Sequence, residues 1–107
     1  MELYNYMGYE LIEKVKNKEI TVQDIIQSTF NRIESTDHLL HSYIKLAKNS
    51  ALEKAKEHDL YLRKSKNIGK LYGLSLANKD LICVNGFPTT CGYSFNFYMD
   101  FSLISVC

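Results

Sequence analysis

The chain has 107 residues, which is within the size of one domain. Its hydrophobic fraction of 46% allows a packed core, and its formal net charge of +1 provides no strong attraction to nucleic acid or to an anionic membrane. The sequence has no apolar run of the roughly 18 to 20 residues that a membrane span needs, and its start does not resemble a secretory signal, so we expect a cytoplasmic protein without membrane contact.

An amphipathic helix is predicted for residues 3–18. Met7, Leu11 and Val15 recur at every fourth position, with Ile12 beside them, and charged residues occupy the other face. Gly8 should weaken the first turn of this helix. The pattern therefore predicts one buried face, which includes Met7.

A second helix is predicted to begin after Thr21 and to run to about Ser35. Thr21 and Asp24 have the spacing of a capping box, and residues 36–38 should break the helix. Its apolar stripe consists of Val22, Ile25, Ile26, Phe30 and Ile33. The two helices predict an αα-hairpin, which either packs against the rest of the fold or docks a partner subunit.

A strand and a third helix are predicted next. Residues 43–46 read as a short strand, and Ser50 should cap a helix, with Glu53 three residues further on. The predicted buried side of this helix consists of Ala51, Leu52, Ala55, Tyr61 and Leu62. Its predicted solvated face consists of Lys54, Lys56, Glu57, Asp59, Arg63 and Lys64. The basic end of the helix is explained by favourable interaction with the helix dipole rather than by nucleic-acid binding.

The histidines and cysteines give only weak indications of metal binding or of nucleophilic catalysis. His38 and His41 are three residues apart, which could suit a metal on a helix, but no third ligand is evident. Cys83, Cys91 and Cys107 are odd in number and lack the paired spacing of a metal site. We expect free, buried thiols in a reducing compartment, and the alternative is that Cys91 acts as a nucleophile.

The most informative stretch is residues 69–92. Leu74 and Leu76 alternate with small or polar residues, which predicts a half-buried strand that ends at Lys79. Burial of an ammonium is costly unless it is paired or neutral, so a lysine at the end of such a strand is a candidate base. Asp80 follows directly, and we expect it to fix the loop by accepting backbone N–H bonds.

This stretch resembles the opening of the amidase signature family. Within that family it is most similar to the A subunit of the glutamyl-tRNA(Gln)/aspartyl-tRNA(Asn) amidotransferases. The residues that carry the resemblance are Gly69, Leu71, Gly73, Lys79, Asp80, Gly86, Thr89, Thr90 and Gly92. Weaker similarity extends upstream to residues 19–26 and 32–34.

The resemblance implies an α/β fold. Residues 1–92 would form the N-terminal part of an amidase domain, with the first helices and strands of a mixed sheet flanked by helices. Residues 93–107 depart from the family pattern and are interpreted as a divergent apolar tail, so we expect a truncated amidase domain.

The resemblance also implies a role for Lys79. Amidase signature enzymes use a Ser–cis-Ser–Lys triad, and Lys79 matches the triad lysine. Both serines belong to a Gly-Gly-Ser-Ser-Gly-Gly-Ser-like segment, and nothing in this chain is similar to it. We therefore expect the chain to be inactive by itself.

An intact protein of this kind would hydrolyse glutamine and pass ammonia within a complex that also contains B and C subunits. ATP and Mg²⁺ would be bound by the partner, the charged tRNA would be reached only through the complex, and this chain would need no cofactor of its own. Three alternatives remain open: a piece of a general amidase, a non-catalytic module that binds a partner, and a small independent α/β protein.

Overall fold

The structure is a computed structural model that describes residues 2–65 and 67–91, and the statements on the fold concern those residues. A short 3-10 turn at Leu3–Asn5 precedes three helices: α1 at Gly8–Lys16, α2 at Val22–Leu40 and α3 at Lys48–Lys64. Residues 67–91 follow α3 as a series of turns. None of the helices in this part of the chain combines the length and the hydropathy of a membrane span.

The first predicted helix is interrupted near its start. Residues Leu3–Asn5 form a separate turn, which is tied to α2 by a hydrogen bond from the Leu3 N–H to the Ser28 hydroxyl at 3.1 Å. Met7 then has an extended backbone, and its N–H donates to the Glu10 carboxylate at 2.7 Å. The prediction of a buried Met7 is wrong, because its position before the helix takes its side chain off the apolar stripe and leaves it 64% exposed.

The predicted capping box at the start of α2 is confirmed. The Asp24 N–H donates to the Thr21 hydroxyl at 3.0 Å, and the Thr21 N–H donates to the Asp24 carboxylate at 2.8 Å. These two bonds satisfy backbone donors that a helix start otherwise leaves without partners.

The predicted end of α2 near Ser35 is wrong, since the helix continues to Leu40. The Thr36 hydroxyl donates to the Arg32 carbonyl at 2.8 Å, a bond that is compatible with a continuing helix. Asp37 stabilises the actual end, where its carboxylate accepts the Ser42 N–H at 2.7 Å. The residues expected to break the helix therefore lie within it.

The core lies between α2 and the neighbouring elements. All five residues of the predicted α2 stripe are buried, as are Leu11 and Val15 of α1 and Ala51 and Ala55 of α3. The two alanines have no exposed surface, which lets α3 approach α2 closely. The sequence pattern therefore predicted the packed face of α2 fully and those of α1 and α3 in part.

The predicted start of α3 is wrong by a few residues. The helix begins at Lys48 with Ala47 as its N-cap, and the Ser50 hydroxyl donates to the Ala47 carbonyl at 3.2 Å instead of capping a backbone N–H. The Lys48 ammonium forms an ion pair with Glu34 of α2 at 2.5 Å, which holds the first turn in place. Tyr61, predicted to be buried, is 49% exposed.

Asp59 of α3 caps the N-terminus of α2, although the sequence pattern assigned it to a solvated face. Its carboxylate accepts the Val22 N–H at 2.8 Å and the Gln23 N–H at 3.2 Å. It also accepts the Gln23 side-chain amide at 3.0 Å. A carboxylate at this position satisfies two further free donors of the helix and interacts favourably with the helix dipole.

Replacing Asp59 by alanine is expected to lower the free energy of unfolding by about 1–3 kcal/mol, because two backbone donors at the start of α2 lose their acceptor. Urea denaturation followed by circular dichroism measures the change. Glu57→Ala is the matched control, since Glu57 is exposed and forms a surface ion pair with Lys54, and its loss should change stability by less than about 0.5 kcal/mol. Equal effects of the two substitutions would contradict the capping role of Asp59.

The two predicted strands are not found in the described residues. Residues 43–46 and 74–79 have irregular backbone, and no strand is present in residues 2–65 and 67–91. A strand needs backbone hydrogen bonds to a neighbouring segment, and among the described residues neither of these two segments makes any beyond local turns. The expected mixed sheet is therefore not confirmed, and the described fold is helical. The predicted apolar tail, residues 93–107, lies outside the described residues, as does Gly92.

Candidate functional site

The segment that contains the family-like residues is fastened to the helices by Tyr72. The Tyr72 hydroxyl donates to the His58 carbonyl at 2.9 Å, and its ring stacks on the His58 imidazole with centroids 4.5 Å apart. The Tyr61 ring contributes a tilted contact at 6.1 Å. These contacts fix the direction in which the chain leaves α3 and approaches α2.

Gly73 lies against the start of α2 in a tight turn. The Leu74 N–H donates to the Leu71 carbonyl at 3.2 Å, and Gly73 has a φ of 81°, which favours glycine. A Cβ added at Gly73 would lie 2.8 Å from Cγ2 of Val22. Both the turn and the close packing therefore require glycine at this position.

Asp80 holds the two ends of the following loop together. Its carboxylate accepts the Thr90 N–H at 2.7 Å and also accepts the Thr90 hydroxyl. Its carbonyl accepts the Cys91 N–H at 3.2 Å. The prediction that Asp80 fixes the loop by accepting backbone N–H bonds is confirmed, and Thr90 is the residue that it binds.

A second glycine turn shapes the tip of this loop. The Phe87 N–H donates to the Val84 carbonyl at 3.3 Å, and Gly86 has a φ of 84° at the third position of that turn. The side chain of Val84 is only 6% exposed. The turn thus has the buried Val84 at one end and the half-buried Phe87 at the other.

An open cleft of about 240 Å³ forms where the loop meets the connector between α2 and α3. Lys79 and Asp80 lie on one wall, and Tyr43, Ile44 and Lys45 lie on the other. The Lys45 ammonium is 5.5 Å from the centroid of the Phe87 ring, a cation–π contact that links the two walls. The remaining lining residues are Ser42, Asn78, Ile82, Val84, Phe87, Pro88, Thr89 and Thr90.

Lys79 is exposed within this cleft. The sequence predicted a lysine at the end of a buried strand, but the described residues leave it in contact with solvent, because nothing among them covers the cleft. A neutral lysine base needs a desolvated setting, and this part of the chain does not provide one. Asn78 also lines the cleft, and its side-chain Nδ2 is buried without a hydrogen-bond partner.

Sequence reasoning did not bring the connector residues 43–45 to this site, because they are more than thirty positions from Lys79 in the chain. A short apolar and aromatic run, Tyr-Ile-Lys-Leu, was visible and was interpreted as a strand. Its exposure between two helices is visible only in the structure, so no signal in the sequence marked it as part of a surface.

The cysteines and histidines that the sequence analysis singled out do not line the cleft in the described residues. Cys83 and Cys91 are exposed, so the prediction of buried thiols is wrong for both, because they lie in the turns of the loop rather than in the core. Cys107 lies outside the described residues. His38 and His41 are exposed near the end of α2, and no group of three His, Cys, Asp or Glu in residues 2–65 and 67–91 could hold a metal ion.

His58 occupies a partly desolvated position under the Tyr72 ring. Burial lowers the pKa of His58 below its usual 6.5, and the nearby Lys54 ammonium lowers it further, while Glu57 and Asp59 act in the opposite direction. Its Nδ1 is buried without a hydrogen-bond partner, which also suits the neutral ring. Burial also raises the pKa of Tyr72.

The depressed pKa of His58 predicts a loss of stability in mild acid. The unfolded chain takes up a proton at this residue near pH 6.5, and the folded chain takes it up only at a lower pH. The free energy of unfolding should therefore decrease as the pH falls from about 6.5 through the folded pKa. Urea denaturation at a series of pH values should give a smaller decrease for His58→Gln than for the unchanged chain, and an equal decrease would contradict the prediction.

Comparison with known proteins identifies relatives that match most of this chain. The family model described as Amidase matches residues 24–99. The A subunit of the glutamyl-tRNA(Gln) amidotransferase of Syntrophus aciditrophicus is 40% identical over 92 residues, which cover 86% of this chain and 19% of that protein. The protein of the same name from Oceanobacillus iheyensis is 40% identical over 95 residues, or 89% of this chain and 19% of that protein.

A third relative matches almost the entire chain. The A subunit of the glutamyl-tRNA(Gln) amidotransferase of Desulforamulus reducens is 33% identical over an alignment of 108 positions, which covers 99% of this chain and 22% of that protein. The chain thus spans about a fifth of the length of the curated relatives that it matches. No solved structure matches it significantly.

Proposed function

Because the chain belongs to the amidase family, we propose that it forms the lysine-bearing N-terminal part of a glutamine-hydrolysing subunit of a tRNA-dependent amidotransferase. The observation that carries this proposal is the similarity to curated proteins named as the A subunit of glutamyl-tRNA(Gln) amidotransferase, at 33–40% identity over most of the chain. The Lys79–Asp80 loop supports it, since Asp80 holds Lys79 at the wall of a cleft.

In this proposal Lys79 acts as a general base. Its neutral amine takes a proton from a bridging serine, which takes the proton of a second serine as that serine attacks the side-chain amide carbon of glutamine. The lysine ammonium then returns this proton through the bridging serine to the departing nitrogen, so that ammonia leaves, and a water molecule deprotonated by the same relay releases the acyl group as glutamate. The serines and the oxyanion donors would come from the remaining four fifths of an amidase domain, so the 107 residues alone would be inactive.

Covering the cleft is a requirement of this mechanism. Lys79 is exposed in the described residues, and the remaining part of the domain would have to desolvate it to favour the neutral amine. We further propose that residues 43–46 and 74–79 become strands of a mixed sheet once that part supplies neighbouring strands.

The partners of the complete complex follow from the same resemblance. Ammonia would pass to a B subunit, which would use ATP and Mg²⁺ to activate the glutamyl group on tRNA(Gln), and a C subunit would bind to the glutaminase. In this arrangement the chain contacts glutamine directly and charged tRNA only through the complex, and it holds no cofactor of its own.

A chimeric enzyme tests the proposal. Residues 1–92 of this chain would replace the matching segment of the Oceanobacillus iheyensis relative, and glutaminase activity would be measured with the chimera incorporated in its amidotransferase complex. We expect the chimera to hydrolyse glutamine and the 107-residue chain alone to do so no faster than buffer. A folded chimera that hydrolyses other amides but not glutamine would exclude the glutaminase role, and activity of the chain alone would exclude the dependence on the missing serines.

A further inference from the structure

The loop that follows Lys79 has little packing to hold it in place. Among residues 81–89, all of which the structure describes, only Val84 is buried, and most of the other side chains are exposed. The backbone bonds inside the loop are local: the Ile82 N–H donates to the Lys79 carbonyl at 2.9 Å, and the Phe87 N–H donates to the Val84 carbonyl at 3.3 Å. Such bonds shape the loop, but they do not fix its ends relative to each other.

Thr90 closes the loop on the residue next to Lys79. Its N–H donates to one oxygen of the Asp80 carboxylate at 2.7 Å, and its hydroxyl donates to the other oxygen. Both bonds are partly buried, and a hydrogen bond to a carboxylate is stronger than one between neutral groups. The Asp80 carbonyl also accepts the Cys91 N–H at 3.2 Å. Two consecutive residues therefore hold both the side chain and the main chain of Asp80.

These contacts restrict the positions that the Lys79 amine can reach. The Lys79 carbonyl is bound in the turn to Ile82, and the next residue is bound to Thr90, so the peptide between Lys79 and Asp80 is held on both sides. A base must lie within hydrogen-bond reach of the proton that it takes. A misplacement of about 1 Å, caused by a change outside the reacting groups, can lower a rate about 10²-fold.

We propose that Thr90 is a positioning residue for Lys79. Its hydroxyl acts through the Asp80 carboxylate to hold the Lys79 backbone, so that the amine stays within reach of the serine proton. Thr90 itself transfers no proton in this role. The inference rests on the proposed function for the role of Lys79, and it adds the residue that keeps this lysine in place.

The test uses the chimeric enzyme described above. Thr90→Val, which keeps the shape of the side chain but removes the hydroxyl, should lower the glutaminase kcat about 10–10²-fold and leave the KM for glutamine within about twofold. Thr90→Ser retains the hydroxyl and should keep kcat within about threefold. Thr90→Ala should show the same loss as Thr90→Val, and it places no methyl group against the carboxylate, so it gives the answer even if Thr90→Val does not fold.

Thr36→Val is the matched control. It also removes a threonine hydroxyl, but the bond of that hydroxyl to the Arg32 carbonyl lies within α2 and outside the loop. We expect its kcat to stay within about twofold of the unchanged chimera, a difference that falls inside the ordinary effect of a substitution away from the site.

The same change in the Lys79→Ala variant separates positioning from a purely structural role. Effects of residues that act as a unit are not additive, so Thr90→Val should lower the residual kcat of Lys79→Ala by less than about twofold. Equal fold losses with and without Lys79 would overturn the positioning role. A retained kcat in Thr90→Val, together with a loss in Lys79→Ala, would also overturn it and leave the proposed function standing. A retained kcat in Lys79→Ala would overturn both.

Discussion

Replacing Lys79 by alanine is expected to lower the glutaminase kcat of the chimeric enzyme by about 10²–10⁴-fold, the range for loss of a general base. The KM for glutamine should change little, because the amine would act on a serine proton and not on the bound substrate. Lys79→Arg should be as inactive as the alanine variant, since a guanidinium stays charged and cannot accept the proton. Steady-state kinetics of the three proteins measures these effects.

The same cleft provides a matched control for this substitution. Lys45 lies on the opposite wall, where its ammonium contacts the Phe87 ring, and the proposal gives it no proton to transfer. Lys45→Ala should therefore keep kcat within about threefold. If Lys79→Ala keeps the kcat of the chimera, or if both lysine variants lose it equally, Lys79 is not the base.

The local part of the fold could be read from the sequence because it depends on neighbouring residues. The capping box of Thr21 and Asp24 and the apolar stripe of α2 are set by spacings of three and four positions, and both are confirmed. The end of α2 could not be read in this way. Residues 36–38 favour a break on propensity, but the bond from Thr36 to the carbonyl of Arg32 is compatible with a continuing helix.

The strands and the site depend on contacts that a single stretch of sequence does not contain. Leu74 and Leu76 alternate as in a strand, but pairing requires a neighbouring segment that the described residues lack. Asp80 was predicted correctly because its partner Thr90 closes a short loop. Asp59 was assigned to a solvated face because its partners, Val22 and Gln23, are about thirty-six positions away.

Two distant residues converge on the start of α2. Asp59 of α3 binds the Val22 N–H, and Gly73 packs against the Val22 side chain, so one residue connects the helical part with the segment that leads to Lys79. Val22 has no exposed surface, and a β-branched side chain in a helix has one strongly preferred rotamer. The start of α2 is therefore the place where stability of the helices and placement of the cleft are coupled.

Gly73→Ala is expected to lower the free energy of unfolding by about 2–4 kcal/mol. Part of the loss comes from the φ of 81°, which costs an alanine about 1–2 kcal/mol, and the rest comes from overlap with Cγ2 of Val22 at 2.8 Å, which that side chain cannot relieve by rotation. Gly69→Ala tests the explanation directly, because a Cβ at Gly69 meets nothing within 4 Å and its φ is not positive, so its effect should be below about 0.5 kcal/mol in either direction. Urea denaturation of both variants measures the difference.

Combining Gly73→Ala with Val22→Ala should recover part of the loss, since the shorter side chain removes the overlap. If the loss in the double variant equals or exceeds the sum of the two single losses, overlap with Val22 is not what requires glycine at residue 73.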